Sequence, residues 1–240
     1  TVTLNVNSSL GPTSFTRSFA VGQPIVTATQ NFDAVTAPNF PAGWTAVPIL
    51  GGVNFVTTAT NPDSAPNSAF AADPETVGGG TDLSTPQFPI TSNSATVSFR
   101  HKYNTEPGWD GGVFEISINN APFQDILGAG GVFLQNGYNG SIGAGTNNPI
   151  AGRQAWNGDS AGYVTTIVRL PSVANGQNVQ LKWRFGADNN TAPVGGGWNI
   201  DNLVVSGNTQ CIIVDNFPKS RADFDGDGKT DLSVYRPSEG

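Results

Sequence analysis

The chain has 240 residues, with 30 Gly, 17 Pro, a single Cys and no Met, and only 12% of its residues are charged, about half the usual ~25% share. A formal net charge of −7 argues against nucleic acid as a partner, because affinity there comes from Lys and Arg neutralising phosphates. No apolar run approaches the ~20 residues of a membrane-spanning helix, and Cys211 alone cannot form an internal disulfide.

In chain order, alternation of apolar and polar residues predicts strands at Thr1–Val6, Ala95–Arg100, Gly112–Ile118, Tyr163–Leu170, Val179–Phe185 and Trp198–Val205. Each has one apolar and one polar face, as a half-buried antiparallel strand requires. Helical periodicity is almost absent. Asn119-Asn120 and Asn175-Gly176 supply turn chemistry. The expectation is an all-β fold: an antiparallel two-sheet jelly-roll sandwich, with an N-terminal strand extension and a short C-terminal calcium-loop segment.

Four segments separate along the chain: residues 1–27 read as the end of a preceding β domain or a strand extension, 28–207 as the sandwich, 208–222 as a connector, and 223–240 as the start of a further motif. With no methionine at position 1, the chain reads as a part of something longer.

The sharpest local motif is Asp223-Phe224-Asp225-Gly226-Asp227-Gly228-Lys229-Thr230-Asp231. Asp223, Asp225, Asp227 and Asp231 fall at loop positions 1, 3, 5 and 9, Gly228 at the sharp turn, and the Lys229 carbonyl at position 7. This is the oxygen spacing by which a calcium loop wraps one ion. The Glu of a helical EF-hand is missing at position 12, and Leu232–Arg236 reads as a strand. The stretch resembles an FG-GAP/VCBS-type repeat, the integrin-like calcium loop of bacterial β-propeller blades.

Residues 30–206 carry a second resemblance. Asn31-Phe32-Asp33, Pro41-Ala42-Gly43-Trp44, Leu83–Pro86, Phe99–Tyr103, Trp109–Ser117, Gln154–Gly158 and Gly197–Val205, in that order, are similar to the MAM-like jelly-roll modules of secreted bacterial proteins, including immune inhibitor A-type metalloproteases. In such modules the jelly roll is accessory to any catalytic domain, and no His-Glu-x-x-His occurs in this chain. The resemblance implies an extracellular location at a bacterial cell surface and a structural calcium site joining the first and last strands. Asp33 and Asp201 match that site, with Asp73, Glu106 and Asp110 as additions from long loops. From the residues alone, Asp201 stands between Ile200 and Leu203, where a carboxylate needs a cation or donors; capping a turn or pairing with Arg184 satisfies it equally well.

Catalytic chemistry finds little support. His101 is the only imidazole, no Gly-x-Ser-x-Gly motif accompanies it, and the expected role is a packed strand-end residue. Trp44, Trp109 and Trp156 sit among Gly, Pro and Asn, the composition of a sugar-stacking surface, and Trp109 and Trp156 are the ligand-binding candidates. The function expected is a non-catalytic, calcium-stabilised extracellular binding or adhesion module of a larger protein, directed at a glycan or cell-surface polymer. The alternative is a structural subunit of a fibre or surface layer, self-assembling by strand addition through Thr1–Val6.

Overall fold

The computed structural model describes residues 2–8, 11–17, 24–74, 78–145 and 147–207, the first two spans as backbone alone. Asp223, Asp225, Asp227, Lys229 and Asp231 lie outside the described residues, as does Cys211. The chain divides into two units, Thr1–Val21 with Gln210–Gly240, and Gly22–Thr209. In the first, β1 (Val2–Ser8) and β2 (Gly11–Arg17) form an antiparallel hairpin, with Val2 opposite Arg17 and Ser8 opposite Gly11. Along its whole length β1 therefore has a partner within its own chain.

The second unit holds the remaining strands: β3 (Ile25–Gln30), β4 (Thr45–Ile49), β5 (Val56–Thr58), β6 (Ser68–Ala72), β7 (Gly79–Ser84), β8 (Phe88–Pro89), β9 (Thr96–Asn104) and β10 (Gly111–Ile118). They continue with β11 (Gln124–Asp125), β12 (Val132–Gln135), β13 (Gly140–Ser141), β14 (Gln154–Ala155), β15 (Val164–Arg169), β16 (Asn178–Ala187) and β17 (Gly197–Gly207). One sheet runs β11-β10-β16-β7-β4, with β8 also on β16; the other runs β12-β15-β9-β17-β6-β5, with β3 also on β17. Every strand pair is antiparallel, and the two sheets face each other as a jelly-roll sandwich. The first strand of the sandwich begins at Ile25.

Alternation builds the core. Along β9 every second residue is buried, Val97, Phe99, His101 and Tyr103, while Ser98, Arg100, Lys102 and Asn104 face outward. Phe99 packs against Phe114 at 5.3 Å, Trp183 at 5.4 Å and Trp156 at 5.8 Å, each ring drawn from a different element. Asn119 and Asn120 both adopt positive φ, the backbone that a tight turn asks of Asn.

His101 is fully buried in this aromatic cluster. The Trp198 indole N–H donates to His101 Nδ1 at 3.1 Å, so the ring's proton sits on Nε2, which donates to Thr166 Oγ1 at 2.8 Å. Burial pushes the imidazole down to about 3, and it stays neutral at physiological pH. The residue is a core hydrogen-bonding unit.

On the outer face of the six-stranded sheet, charges alternate across the strands. Asp125 and Glu115 hold Arg153, Glu115 and Asp82 share Lys182, and Asp82 takes a two-pronged contact from Arg184. Arg184 is thereby committed to Asp82 and is not the partner of Asp201.

Candidate functional site: a carboxylate pocket beside a polar cleft

Four acidic side chains converge where β6, β9 and β16 end. Asp73 follows β6, Glu106 and Asp110 lie in the turn after β9, and Asp188 follows β16. In the Glu106–Asp110 turn the backbone N–H groups of Trp109 and Asp110 both donate to the Glu106 carbonyl, at 3.2 and 3.1 Å. That helical turn brings side chains four residues apart to one side. Ligand oxygens of Glu106, Asp110 and Asp188 lie within 4.8 Å of one another. Asp110 Oδ1 accepts the Asp188 backbone N–H at 2.6 Å, and Asp188 Oδ1 accepts that of Asn190 at 2.9 Å.

The remaining oxygens are what mark the site. Asp73 is 7% exposed and Asp110 0%, yet both oxygens of Asp73, Asp110 Oδ2 and Glu106 Oε2 meet no hydrogen-bond donor. Such groups cost several kcal/mol unless a proton or a cation compensates them, on the order of 1–3 kcal/mol per unsatisfied polar group and more for a charge. Burial pushes the Asp110 carboxyl up to about 8 and Asp73 up to about 7, and the neighbouring acids add to both. The Asp110 carboxyl and the Glu106 N–H face Asp73 outside hydrogen-bond geometry and offset its rise only in part. Burial raises Glu106 as well, with Asp188 adding to it. Hard oxygens in this number, without protein donors, fit an oxygen-seeking divalent cation such as calcium. Among the sequence candidates, Asp73, Glu106 and Asp110 come together here; Asp188 joins them unannounced, its only signal being the Asp188-Asn189-Asn190 run after a strand.

Asp33 and Asp201 come together elsewhere, near Asn67 at the opposite end of β6, which five residues at ~3.3 Å each separate from Asp73. The Ser64 hydroxyl reaches Asp33 Oδ2 at 3.2 Å and Asp201 Oδ1 at 3.4 Å. Asp201 Oδ2 accepts the backbone N–H groups of Asp63 and Ser64, and Asp33 Oδ1 that of Asn67. A bulge in β17, with Asn202 at φ 49°, places Ile200 and Leu203 in the core while Asp201 points out beneath this loop. Donors from the protein itself satisfy these two carboxylates, in contrast to both oxygens of Asp73 and to Asp110 Oδ2.

A cleft of about 590 Å³ opens on the outer face of the seven-stranded sheet, within the range of small-ligand sites. Its floor is a row in strict register: Phe70 on β6 opposite Asn199 on β17, and Asn199 opposite Lys102 on β9. Adjacent strands are ~4.8 Å apart, so an aromatic ring, an amide and an ammonium follow one another over roughly two strand spacings. Gly197 makes room for the ring: a Cβ there would stand 2.8 Å from the Phe70 ring and 2.1 Å from the Ala71 carbonyl. Asp159, bridged to Asn104, and Val194-Gly195 form the walls. On another side the Tyr163 hydroxyl donates to the Asn61 carbonyl at 2.9 Å and pins that loop.

The two tryptophans chosen from sequence part company. Trp109 is 41% exposed, its ring lying over Gly143, and it is not among the residues lining the cleft. Trp156 is 1% exposed and corrects the expectation of a ligand-binding role. Its backbone is bridged to Gly112 of β10 by two hydrogen bonds of 2.9 Å, its indole N–H donates to the Asn136 carbonyl at 3.0 Å, and its ring packs on His101 and Tyr138 at 4.8 Å. Phe70, Lys102 and Asn199 were missed because they lie on three strands far apart in sequence.

No family model matches the sequence, and no curated protein matches it. Among solved structures, the K1 cleaved adhesin domain of Lys-gingipain from Porphyromonas gingivalis W83 is similar, with 13% identity, 76% of this chain and 99% of that one covered, and a TM-score of 0.45. The CBM22-1 xylan-binding domain from Paenibacillus barcinonensis is similar at 14% identity, 78% and 97% coverage and a TM-score of 0.42. A third is TmCBM61, solved with β-1,4-galactotriose, at 11% identity, 73% and 97% coverage and a TM-score of 0.42. At such identities and TM-scores these are likenesses of architecture and assign this chain neither ligand nor role.

Proposed function

We propose that the sandwich is a non-catalytic, calcium-stabilised glycan-binding module acting outside the cell. The observation that carries this reading is the cleft floor, where the partly exposed Phe70 ring lies in register with the Asn199 amide and the Lys102 ammonium. An apolar ring suits the flat face of a pyranose, and the Lys102 ammonium together with the carbonyl oxygen of Asn199, whose Nδ2 already donates to Ser68 Oγ at 3.0 Å, suits its hydroxyls. Asp159 is the only carboxylate among the cleft residues described, whereas glycosidic cleavage by the usual route needs two across the bond. His101, buried and neutral, serves no substrate.

The direct experiment is calorimetric titration of the chain, in calcium, with neutral and acidic oligosaccharides such as xylohexaose, β-1,4-galactotriose and an oligogalacturonate. Saturable binding by at least one of them, weakened by Phe70→Ala, is the expected result. Absence of binding across the panel defeats the reading.

A further inference from the structure

Three chain segments that supply the carboxylate pocket also supply the cleft. On β6, Phe70 lies on the cleft floor, and Asp73 enters the pocket three residues later. On β9, Lys102 and Asn104 line the cleft, and Glu106 and Asp110 follow in the adjoining turn. Between β16 and β17, Asp188 opens the loop in the pocket, while Val194 and Gly195 close it as a cleft wall. The far end of that loop is tied to the pocket again, because the Asp73 backbone N–H donates to the Gly196 carbonyl at 3.1 Å.

We propose that a divalent cation held among Asp73, Glu106, Asp110 and Asp188 fixes the 188–196 loop as a wall of the cleft, so that ligand binding in the cleft depends on the cation. This inference rests on the glycan-binding reading of the cleft and adds its control. The physical reason lies in the loop's few anchors. Its entry is held by the Asp188 N–H on Asp110 and its exit by the Gly196 carbonyl on Asp73, and Val194 at its tip is 98% exposed. One anchor is made to the Asp110 carboxylate and the other to the backbone N–H of Asp73, and the carboxylates of these two residues repel each other when the pocket is empty and ionised. A cation draws the four carboxylates together and holds both ends of the wall. Gly196 leaves the loop no slack: a Cβ there would stand 2.7 Å from the Pro193 carbonyl and 2.8 Å from that of Asn104. By linkage, the factor by which the cation tightens the ligand equals the factor by which the ligand tightens the cation.

The test uses the whole chain in calcium and in EDTA, with two variants: Asp188→Asn in the pocket and Asp225→Asn in the acidic loop of residues 223–231. Hydrogen exchange of amides 104–111 and 188–197 is the first readout, and titration with the oligosaccharide panel above is the second. Calcium is expected to slow exchange in both segments and to tighten the best-binding oligosaccharide at least tenfold, in the unmodified chain and in Asp225→Asn but not in Asp188→Asn. Exchange in 188–197 that is indifferent to calcium overturns the proposal. Equal affinity in calcium and EDTA also overturns it, while leaving the glycan reading intact. Slower exchange in calcium without any oligosaccharide bound supports the cation's hold on the wall and removes the glycan reading alone.

Discussion

Asp110 holds the Asp188 backbone N–H on Oδ1 at 2.6 Å, while its other oxygen lies buried with no donor. One side chain therefore both fastens a loop and keeps an oxygen without any protein donor. Asp73 repeats the arrangement at the loop's other end, its backbone N–H bonded to Gly196 and both its carboxylate oxygens without donors. The pocket is thus written into the structure by what its acids do not contact.

Removing a charge there reverses sign with conditions. Asp73→Asn relieves like-charge crowding in EDTA and is expected to raise the melting temperature by a few degrees, about 1 kcal/mol at ~2–4 °C per kcal/mol for a domain of this size. In excess calcium the variant is expected to gain less than the unmodified chain. Scanning calorimetry in both buffers decides it, and a melting temperature of the unmodified chain that ignores calcium counts against the site.

The pH dependence follows from opposite shifts. Asp73 and Asp110 are raised to about 7 and about 8, so the folded chain binds more protons than the unfolded one above the ordinary carboxylate range. Their contribution is full below pH ~4 and is lost as pH rises through 7 to 8. His101 is depressed to about 3, so its contribution is present above ~6.5 and is lost as pH falls towards 3. In EDTA, stability is therefore expected to fall on both sides of an optimum in mildly acidic solution. Calcium is expected to lift the alkaline side and to add less at pH 5 than at pH 8, because protons compete for the same oxygens. Denaturant titrations from about pH 2.5 to pH 9, wide enough to reach the acid limb, check this.

The cleft floor predicts a division between affinity and stability. Phe70→Ala is expected to weaken oligosaccharide binding roughly tenfold, about 1.4 kcal/mol, through loss of ring stacking. Its ring is partly exposed, so the melting temperature is expected to shift much less than for a core aromatic. A titration and a melt on the same sample separate the two effects.

Trp156 is expected to behave in the opposite way. Trp156→Ala removes a ring at 1% exposure that packs on Phe99, His101, Phe133, Tyr138 and Trp198. A loss of about 3–5 kcal/mol is expected, seen as a lowered denaturation midpoint, with ligand affinity unchanged at temperatures where the chain stays folded.

Strands were the part of the molecule most readable from sequence, because a two-residue repeat has one structural meaning. The alternation at Ala95–Arg100 became β9 and that at Val179–Phe185 became β16. The Asp201 region was readable only in part: the costly carboxylate between two apolar residues was apparent, but the bulge at Asn202 that turns it outward was not. Trp156 misled because Gly and Asn neighbours normally mark exposed loops, whereas here a backbone bridge to Gly112 of β10 ties the segment to the sheet and its ring is buried. The cleft was invisible for a different reason. Phe70, Lys102 and Asn199 share a floor only through strand register, and no local pattern encodes register between strands so distant in the chain.

The position of β17 has a consequence for how the molecule is made. This strand bonds to β9 on one side and to β6 and β3 on the other, and it brings Trp198, Ile200, Leu203 and Val205 to the interior. Until residue 207 has arrived, β3 and β6 lack the neighbour that joins them to β9, and the aromatic layer stays open to water. Pairings across so many residues are slow to form, so the sandwich is expected to close late, in one concerted step that its last strand initiates.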